Sequence, residues 1–318
     1  MTNFYPKKAA LKSVAIFGGN GRINSHTAQY LRYKAPDVRL RLLGSSEKSA
    51  QAVREHYPND EVMVANYFDE PSLDRALDGV DGVLIVTPSG LDEQTAMTNF
   101  IAAARRAGSI KQIIRLVAFA PESTPDRIPA ELRAMGGDGD QHYVAKALLQ
   151  ESGLPVTFAN LFASLFDNYL ITAGPIQKSR TLVWPQRHVP VMDVRDLGEI
   201  IARLFLSDDA RHIGAFHTIN NGYDYLTTDE FAEVMSNAWM TPIKTDTSWE
   251  SFNREYGAAF KAKWGRDNEA QYRFEHCRYE FEHVLTALNN FAETILGRRP
   301  NTLHGWLQEH RKFFLPDG

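Results

Sequence analysis

Cysteine is almost missing from this sequence: Cys277 stands alone among 318 residues. That excludes an internal disulfide framework and a cysteine-rich metal site. No excess of basic charge is present either. The 35 Lys and Arg face 39 Asp and Glu, for a net charge of −4. Such a balance leaves no electrostatic footprint for nucleic acid or an anionic membrane, and the Arg298-Arg299 pair is too short to form a patch. No apolar run approaches bilayer-spanning length. Met1 to Leu11 carries Lys7 and Lys8 but not the apolar segment of a secretory signal. His212, His217, His276, His283, His304 and His310 show no HExxH or clustered ligand spacing, so no metal is expected. Internal repeats, low-complexity tracts and flexible linkers are absent too. The expectation is a soluble, cytoplasmic protein, monomer or homodimer, whose partner is a small molecule. Its length suits one large α/β domain or a domain with a smaller annex.

What the chain does have is glycine in one telling place. The apolar run Ser13-Val14-Ala15-Ile16-Phe17 leads into Gly18-Gly19-Asn20-Gly21-Arg22-Ile23, and a helix-like segment follows from His26 to Tyr33. A strand, a glycine turn and a helix in that order suit a dinucleotide pyrophosphate. Glycine lets the backbone turn and approach the phosphates, while the N–H groups at the helix start favour negative charge. Gly18 and Gly21 fit the spacing; the third expected glycine is Asn24. The plainer alternative is an ordinary tight turn between strand and helix.

Alternating strands and helices follow. Val38 to Leu43, Glu61 to Ala65, Gly82 to Val86, Ile110 to Val117 and Val156 to Ala159 read as strands. Ser49 to His56, a segment opened by Asp69-Glu70-Pro71-Ser72, Leu91 to Ala107 and Gln141 to Ser152 read as helices between them. The all-apolar run ending at Val86 is what a parallel strand buried on both faces requires. The fold class is therefore α/β, a doubly wound parallel (Rossmann-like) sheet with a smaller α/β substrate-side annex. Residues 1–160 are assigned to the dinucleotide-binding part, and 161–318 to an annex woven onto the same sheet. Within the annex, Asp196 to Glu199 and Thr227 to Glu230 have capping-box spacing before apolar runs. The stretch from Trp249 to Arg278 reads as helical, and a last helix ends near Phe314.

Ligands of open α/β sheets bind beyond the carboxyl ends of the strands. That points to Gly18, Asn20, Gly21, Arg22 and Ile23, to Gly44-Ser45-Ser46, to Asn66, to Thr87-Pro88-Ser89 and to Ala118-Phe119-Ala120. An NAD ribose is usually held by a carboxylate at the end of the second strand. Gly44-Ser45-Ser46 offers none, and Ser45, Ser46 and Lys48 can bind a 2′-phosphate, so NADP is preferred with NAD possible. Ser46 and Ser49 acting only as a helix cap is compatible with either cofactor. In Gln141-His142-Tyr143-Val144-Ala145-Lys146, His142 and Lys146 share a helix face. Lys146 suits the nicotinamide ribose, and His142 or Tyr143 suits proton donation as hydride arrives. A solvated surface pair is the alternative. Phe119, Phe162, Phe166 and Asn168 are candidates for an apolar substrate pocket, although Phe158, Phe162, Phe166 and Tyr169 also have the spacing of a packed core. Trp249, Phe252 and Tyr256 form either a lid or annex core. Asp193 and Asp196 read as structural.

At these residues the chain resembles the NmrA-like group of atypical short-chain dehydrogenases/reductases. The resemblance runs through the Gly18 loop, Asp78 to Val83, the Lys146 helix, Ser152 to Thr157, Val191 to Gly198 and Gly297 to Leu303. It implies an NAD(P)H-dependent reductase with His142 and Lys146 where ordinary members carry tyrosine and lysine. It also implies Asn66 beside the adenine, and a substrate with an electron-poor carbonyl, imine, quinone or enone carbon. The serine that ordinary members carry on the fifth strand falls near Val117, so that hydroxyl is gone. Some members bind dinucleotides as regulators without turnover, and that is the second reading.

Overall fold

A computed structural model describes residues 5–88, 90–118, 138–264, 272 and 287–316, of which 138–140 and 263–264 by backbone alone. Strand β1 (Ser13–Phe17) is buried at every position. It pairs with β2 (Arg39–Gly44) on one side and β4 (Gly82–Ile85) on the other. Beyond β2 lies β3 (Glu61–Val64); beyond β4 lie β5 (Gln112–Val117), β6 (Val156–Leu161) and, at the far edge, β10 (Phe216–Ile219). All seven strands run parallel, in the order β10-β6-β5-β4-β1-β2-β3. The connections reverse direction between β1 and β4, which makes that crevice the topological switch point.

Two helix layers cover the sheet. On one face α3 (Glu70–Leu77), α4 (Glu93–Ala107) and α5 (Asp138–Glu151) close a core built on Phe17, Val83, Phe100, Ile113 and Val117. On the other, α1 (Arg22–Lys34), α7 (Val194–Leu206) and α10 (Phe291–Leu296) close a core of Ile16, Leu31, Leu42, Ile114 and Phe205. Each such fully buried side chain contributes about 1.5–3 kcal/mol. Helices α1 and α7 touch at backbone distance, since a Cβ on Gly198 falls 2.5 Å from the His26 Cβ. Helix α2 (Glu47–His56) packs beside β2 and β3. No helix among the described residues is long and apolar enough to cross a membrane.

The remaining elements form the annex. Strands β7 (Ser164–Leu165), β9 (His188–Met192) and β11 (Tyr225–Thr227) make one small sheet; β8 (Thr181–Val183) and β12 (Lys244–Asp246) make another. Around them α6 (Ala173–Ser179), α8 (Thr228–Trp239), α9 (Trp249–Trp264), α11 (Leu303–Glu309) and α12 (Arg311–Phe314) bury a third core. Trp249, Phe252 and Tyr256 belong to it: Phe252 and Tyr256 each lie 5.7 Å from the Trp184 ring, and Tyr256 donates to the Val183 carbonyl at 2.8 Å. Those three are annex core, not a lid. Thr227 and Glu230 form the expected capping box. At α7 the cap stands three residues earlier than the spacing suggested: Asp193 accepts from the Arg195 N–H at 2.8 Å. Asp196 instead accepts from the Asn301 N–H at 2.6 Å and from Arg298 at 2.7 Å, tying α7 to the chain before α11. Of the stretch read as helical from Trp249 to Arg278, the part after 264, apart from Tyr272, lies outside the described residues.

Candidate active site

The glycine turn sits at the switch point. Gly18 has φ +65°, a conformation that glycine adopts without strain, and the Gly21 N–H donates to the Gly18 carbonyl at 2.8 Å. Asn24, in the place of a third glycine, is buried and holds the turn from inside. Its side-chain amide donates to the carbonyls of Phe17 at 2.7 Å and Gly18 at 2.9 Å. Helix α1 begins at Arg22 with Gly21 as N-cap, no side-chain cap and no acidic residue in its first turn. Its first N–H groups and the positive end of its dipole are left for an anion. These residues fit a pyrophosphate. Asn20 is exposed at the tip of the turn, and Ile23 packs into the α1 core. Arg22 reaches across to the annex, donating to Asp167 at 2.7 Å and to Asn168 at 3.1 Å.

Beyond β2, Ser45, Ser46 and Lys48 are exposed. Ser46 caps α2, with its hydroxyl accepting from the Ser49 N–H and the Ser49 hydroxyl accepting from the Ser46 N–H. Ser46 and Ser49 therefore do cap α2, and Ser45 and Lys48 stand beside that cap with no such role. The carboxylate adjacent in sequence, Glu47, is engaged by Arg54 at 2.5 Å. Gly44 is packed so closely under α2 that a Cβ there lies 2.4 Å from the Ala50 nitrogen. Asn66 spends its side-chain oxygen on the Phe68 N–H at 3.0 Å, which leaves its amide nitrogen for an adenine.

Thr87 and Pro88, just past β4, stand over a polar cluster that the sequence reading missed. Arg115 on β5 is fully buried and pairs with Glu93 of α4 at 2.6 Å. It also donates to the Thr87 hydroxyl at 2.8 Å, and that hydroxyl bonds to Glu93. Tyr67, stacked on Phe17 at 4.7 Å, lies close enough for both charges to act on it, and burial pushes its phenol well above the usual range. The available signal was one arginine inside Gln112-Ile113-Ile114-Arg115-Leu116-Val117, a strand buried at every position.

On α5 the three candidates separate. His142 is half-buried, whereas Tyr143 is 7% exposed and belongs to the core that holds Phe100 and Val117. Lys146 turns to the outer edge of the sheet, with its Nζ 5.8 Å from the Phe216 ring centroid on β10. That strand is four steps from β1 in the sheet, or about 19 Å at ~4.8 Å per step. In this conformation Lys146 therefore does not stand with the glycine loop.

The annex candidates divide as well. Phe166 is fully buried against Trp306 at 5.8 Å, and Phe162 is 3% exposed. Both are packed side chains and not an open pocket wall, as the core reading of the aromatic series has it. Asn168 is exposed, facing Arg22. Phe119 and Ser89 lie outside the described residues.

The NmrA-like family model matches residues 10–248. Quinone oxidoreductase 2 of Escherichia coli (strain K12) is 26% identical over 162 residues, 50% of this chain and 51% of the relative. The chain thus spans about half the length of that curated relative. Two solved structures share the fold. The triphenylmethane reductase of Citrobacter sp., complexed with NADP(H), is 18% identical with a TM-score of 0.74, covering 93% of this chain and 99% of the other. The NADPH-dependent quinone oxidoreductase QOR2 of Escherichia coli, complexed with NADPH, is 20% identical with a TM-score of 0.73 and the same coverage. A family match running from before β1 to beyond β12 takes in the whole sheet and much of the annex, and the chain belongs to the NmrA-like family.

Proposed function

We propose that the protein is a cytoplasmic NADPH-dependent reductase of a small, electron-poor aromatic molecule, with NAD as the lesser alternative cofactor. The observation that carries this reading is the uncapped start of α1 behind the Gly18–Gly21 turn, at the switch point of a parallel sheet. The names of the relatives, a quinone oxidoreductase with NADPH bound in its solved structure and a triphenylmethane reductase complexed with NADP(H), support the same chemistry. A reduced nicotinamide supplies hydride to a carbonyl, imine, quinone or enone carbon. The chain's own residues do the rest. Gly18, Asn20, Gly21, Arg22 and Ile23 cradle the pyrophosphate, Ser45 and Lys48 meet the 2′-phosphate, and Asn66 meets the adenine. Thr87 and Pro88 border the nicotinamide side, where Glu93 and Arg115 hold the Thr87 hydroxyl in place.

With Val117 apolar and Tyr143 packed into the core, the half-buried His142 serves as the proton donor of α5. Lys146 orients the ribose after swinging from its position over Phe216. A dinucleotide-sensing regulator needs no proton donor, and that separates the second reading. The experiment is NADPH oxidation, followed by loss of nicotinamide absorbance, with a panel of quinones, aromatic ketones and imines. Turnover that falls about 100-fold in His142→Phe supports the reductase. Tight NADPH binding with no turnover on any substrate class overturns it in favour of the sensor.

A further inference from the structure

Lys146 lies in a groove of its own. Helix α5 contributes Lys146 and Leu149 to one wall, β6 contributes Val156 and Phe158 to the floor, and the edge strand β10 contributes Phe216 and Thr218. The cavity measures about 460 Å³, within the range of sites for small molecules. Two aromatic rings line it, Phe158 and Phe216, with centroids 6.2 Å apart. Lys146 is the one charged side chain among the described lining residues, and no carboxylate among the described residues pairs with it. Leu154 and Gln150 stand at its rim.

We infer that this groove is a second small-molecule site, one that takes an aromatic monoanion such as an arene carboxylate. The aromatic floor matches a flat ring in shape and in its preference for apolar surface. A carboxylate beside the Lys146 ammonium replaces a weak cation–π contact by a charge-assisted hydrogen bond. A cation is repelled by Lys146, and a neutral arene gains the floor but leaves the ammonium as it was.

The site has a consequence for the cofactor, and this part rests on the reductase reading. A single ammonium cannot serve both the groove and a nicotinamide ribose. The arene carboxylate and NADPH therefore oppose one another, each weakening the other by the same factor.

The test uses the full chain with 2-naphthoate as probe and its neutral methyl ketone, 2-acetylnaphthalene, as control, both by titration calorimetry. Saturable binding of naphthoate, about tenfold or more tighter than the ketone, is expected. Lys146→Met should erase that difference. Gln150→Glu on the exposed rim should weaken naphthoate, and Leu154→Trp should block both probes, while each leaves NADPH affinity measured without naphthoate unchanged. Saturating naphthoate should raise the apparent Kd for NADPH several-fold. No saturable naphthoate binding overturns the proposal, as does equal binding of acid and ketone, or binding untouched by both Gln150→Glu and Leu154→Trp. NADPH titrated alone separates the two ideas. If NADPH binds and naphthoate does not, the groove proposal falls by itself. If naphthoate binds as described and NADPH does not, the reductase reading falls and the groove stands.

Discussion

Removing the carboxylate from Glu93 is the most demanding test of how the site is held. The Glu93 side chain is 2% exposed and that of Arg115 is fully buried, with 2.6 Å between them. Glu93→Met keeps the volume approximately but leaves a guanidinium buried without its counter-charge. Breaking one side of a buried pair costs about 3–5 kcal/mol. At an unfolding entropy of about 2.1 cal/mol/K per residue, a loss of ~4 kcal/mol over this chain lowers the midpoint by roughly 6 °C. Arg115→Met should cost a similar amount, since the Glu93 carboxylate then stands alone. The double variant Glu93→Met with Arg115→Met removes both charges and fills the volume, so it should recover most of the loss. Differential scanning calorimetry of the four proteins forms the cycle. If either single variant melts within 1 °C of wild type, or the double variant melts lower than both singles, the argument from a buried pair is refuted. The Thr87 hydroxyl gives an independent readout. It loses one partner in each single variant, so NADPH should bind more weakly even well below the melting range.

Three further outcomes follow from the site and its surroundings. Ser45→Asp should shift preference from NADP to NAD by placing a carboxylate where the 2′-phosphate is met, as read by the two dissociation constants; Gly44→Asp is unsuitable because its Cβ collides with α2. Gly21→Val should weaken NADPH binding by tenfold or more, since a Cβ there already lies 3.1 Å from both the Asn24 amide and the Gly18 carbonyl; unchanged affinity in a folded variant would falsify the pyrophosphate assignment. At the opposite end of the sheet, His212 and His217 share a hydrogen bond at 3.0 Å, and His217 stacks on Phe291 at 4.3 Å. Burial, and then the neighbouring His212, push His217 down to about 4, and burial also lowers His212. The unfolded chain, with His near 6.5, binds more protons between those values, so stability is full above about pH 6.5 and declines toward pH 4. The melting midpoint of His217→Phe should fall less steeply over that window; a parallel decline in both proteins excludes the pair as the cause.

Much of the sheet was legible because apolar runs bounded by glycine and polar residues leave little choice in a parallel strand. β1, β2 and β4 appear within a residue or so of the bounds their sequences suggest. The annex strands were not legible, since β7, β8, β11 and β12 have only two or three residues each. That is too short for an alternating pattern to stand out. Spacing on a helix showed that His142 and Lys146 share a face. It could not show which way the lysine stem turns, and the nearby aromatic ring of Phe216 decides that. Phe166 illustrates a different limit. An apolar residue beyond a strand's end suits a pocket wall and a core equally, and Trp306, 140 positions later in the chain, settles it as core. Arg115 was overlooked because its partners Glu93 and Thr87 come from other elements, brought together only by the fold.

The placement of β10 at the edge of the main sheet also bears on how the chain is made. On the ribosome, β6 emerges with every residue destined for burial and its outer hydrogen-bonding edge unmatched. Its neighbour β10 follows roughly sixty residues later, a delay of about 3–12 s at ordinary rates of synthesis. Throughout that interval the nascent chain carries a strand whose outer edge has no partner, the kind of template on which strands of other chains assemble. Shortening the delay is impossible without moving the annex segments that separate the two strands. Yield in the cell should accordingly depend on chaperone supply and temperature during synthesis more than on the stability of the finished molecule.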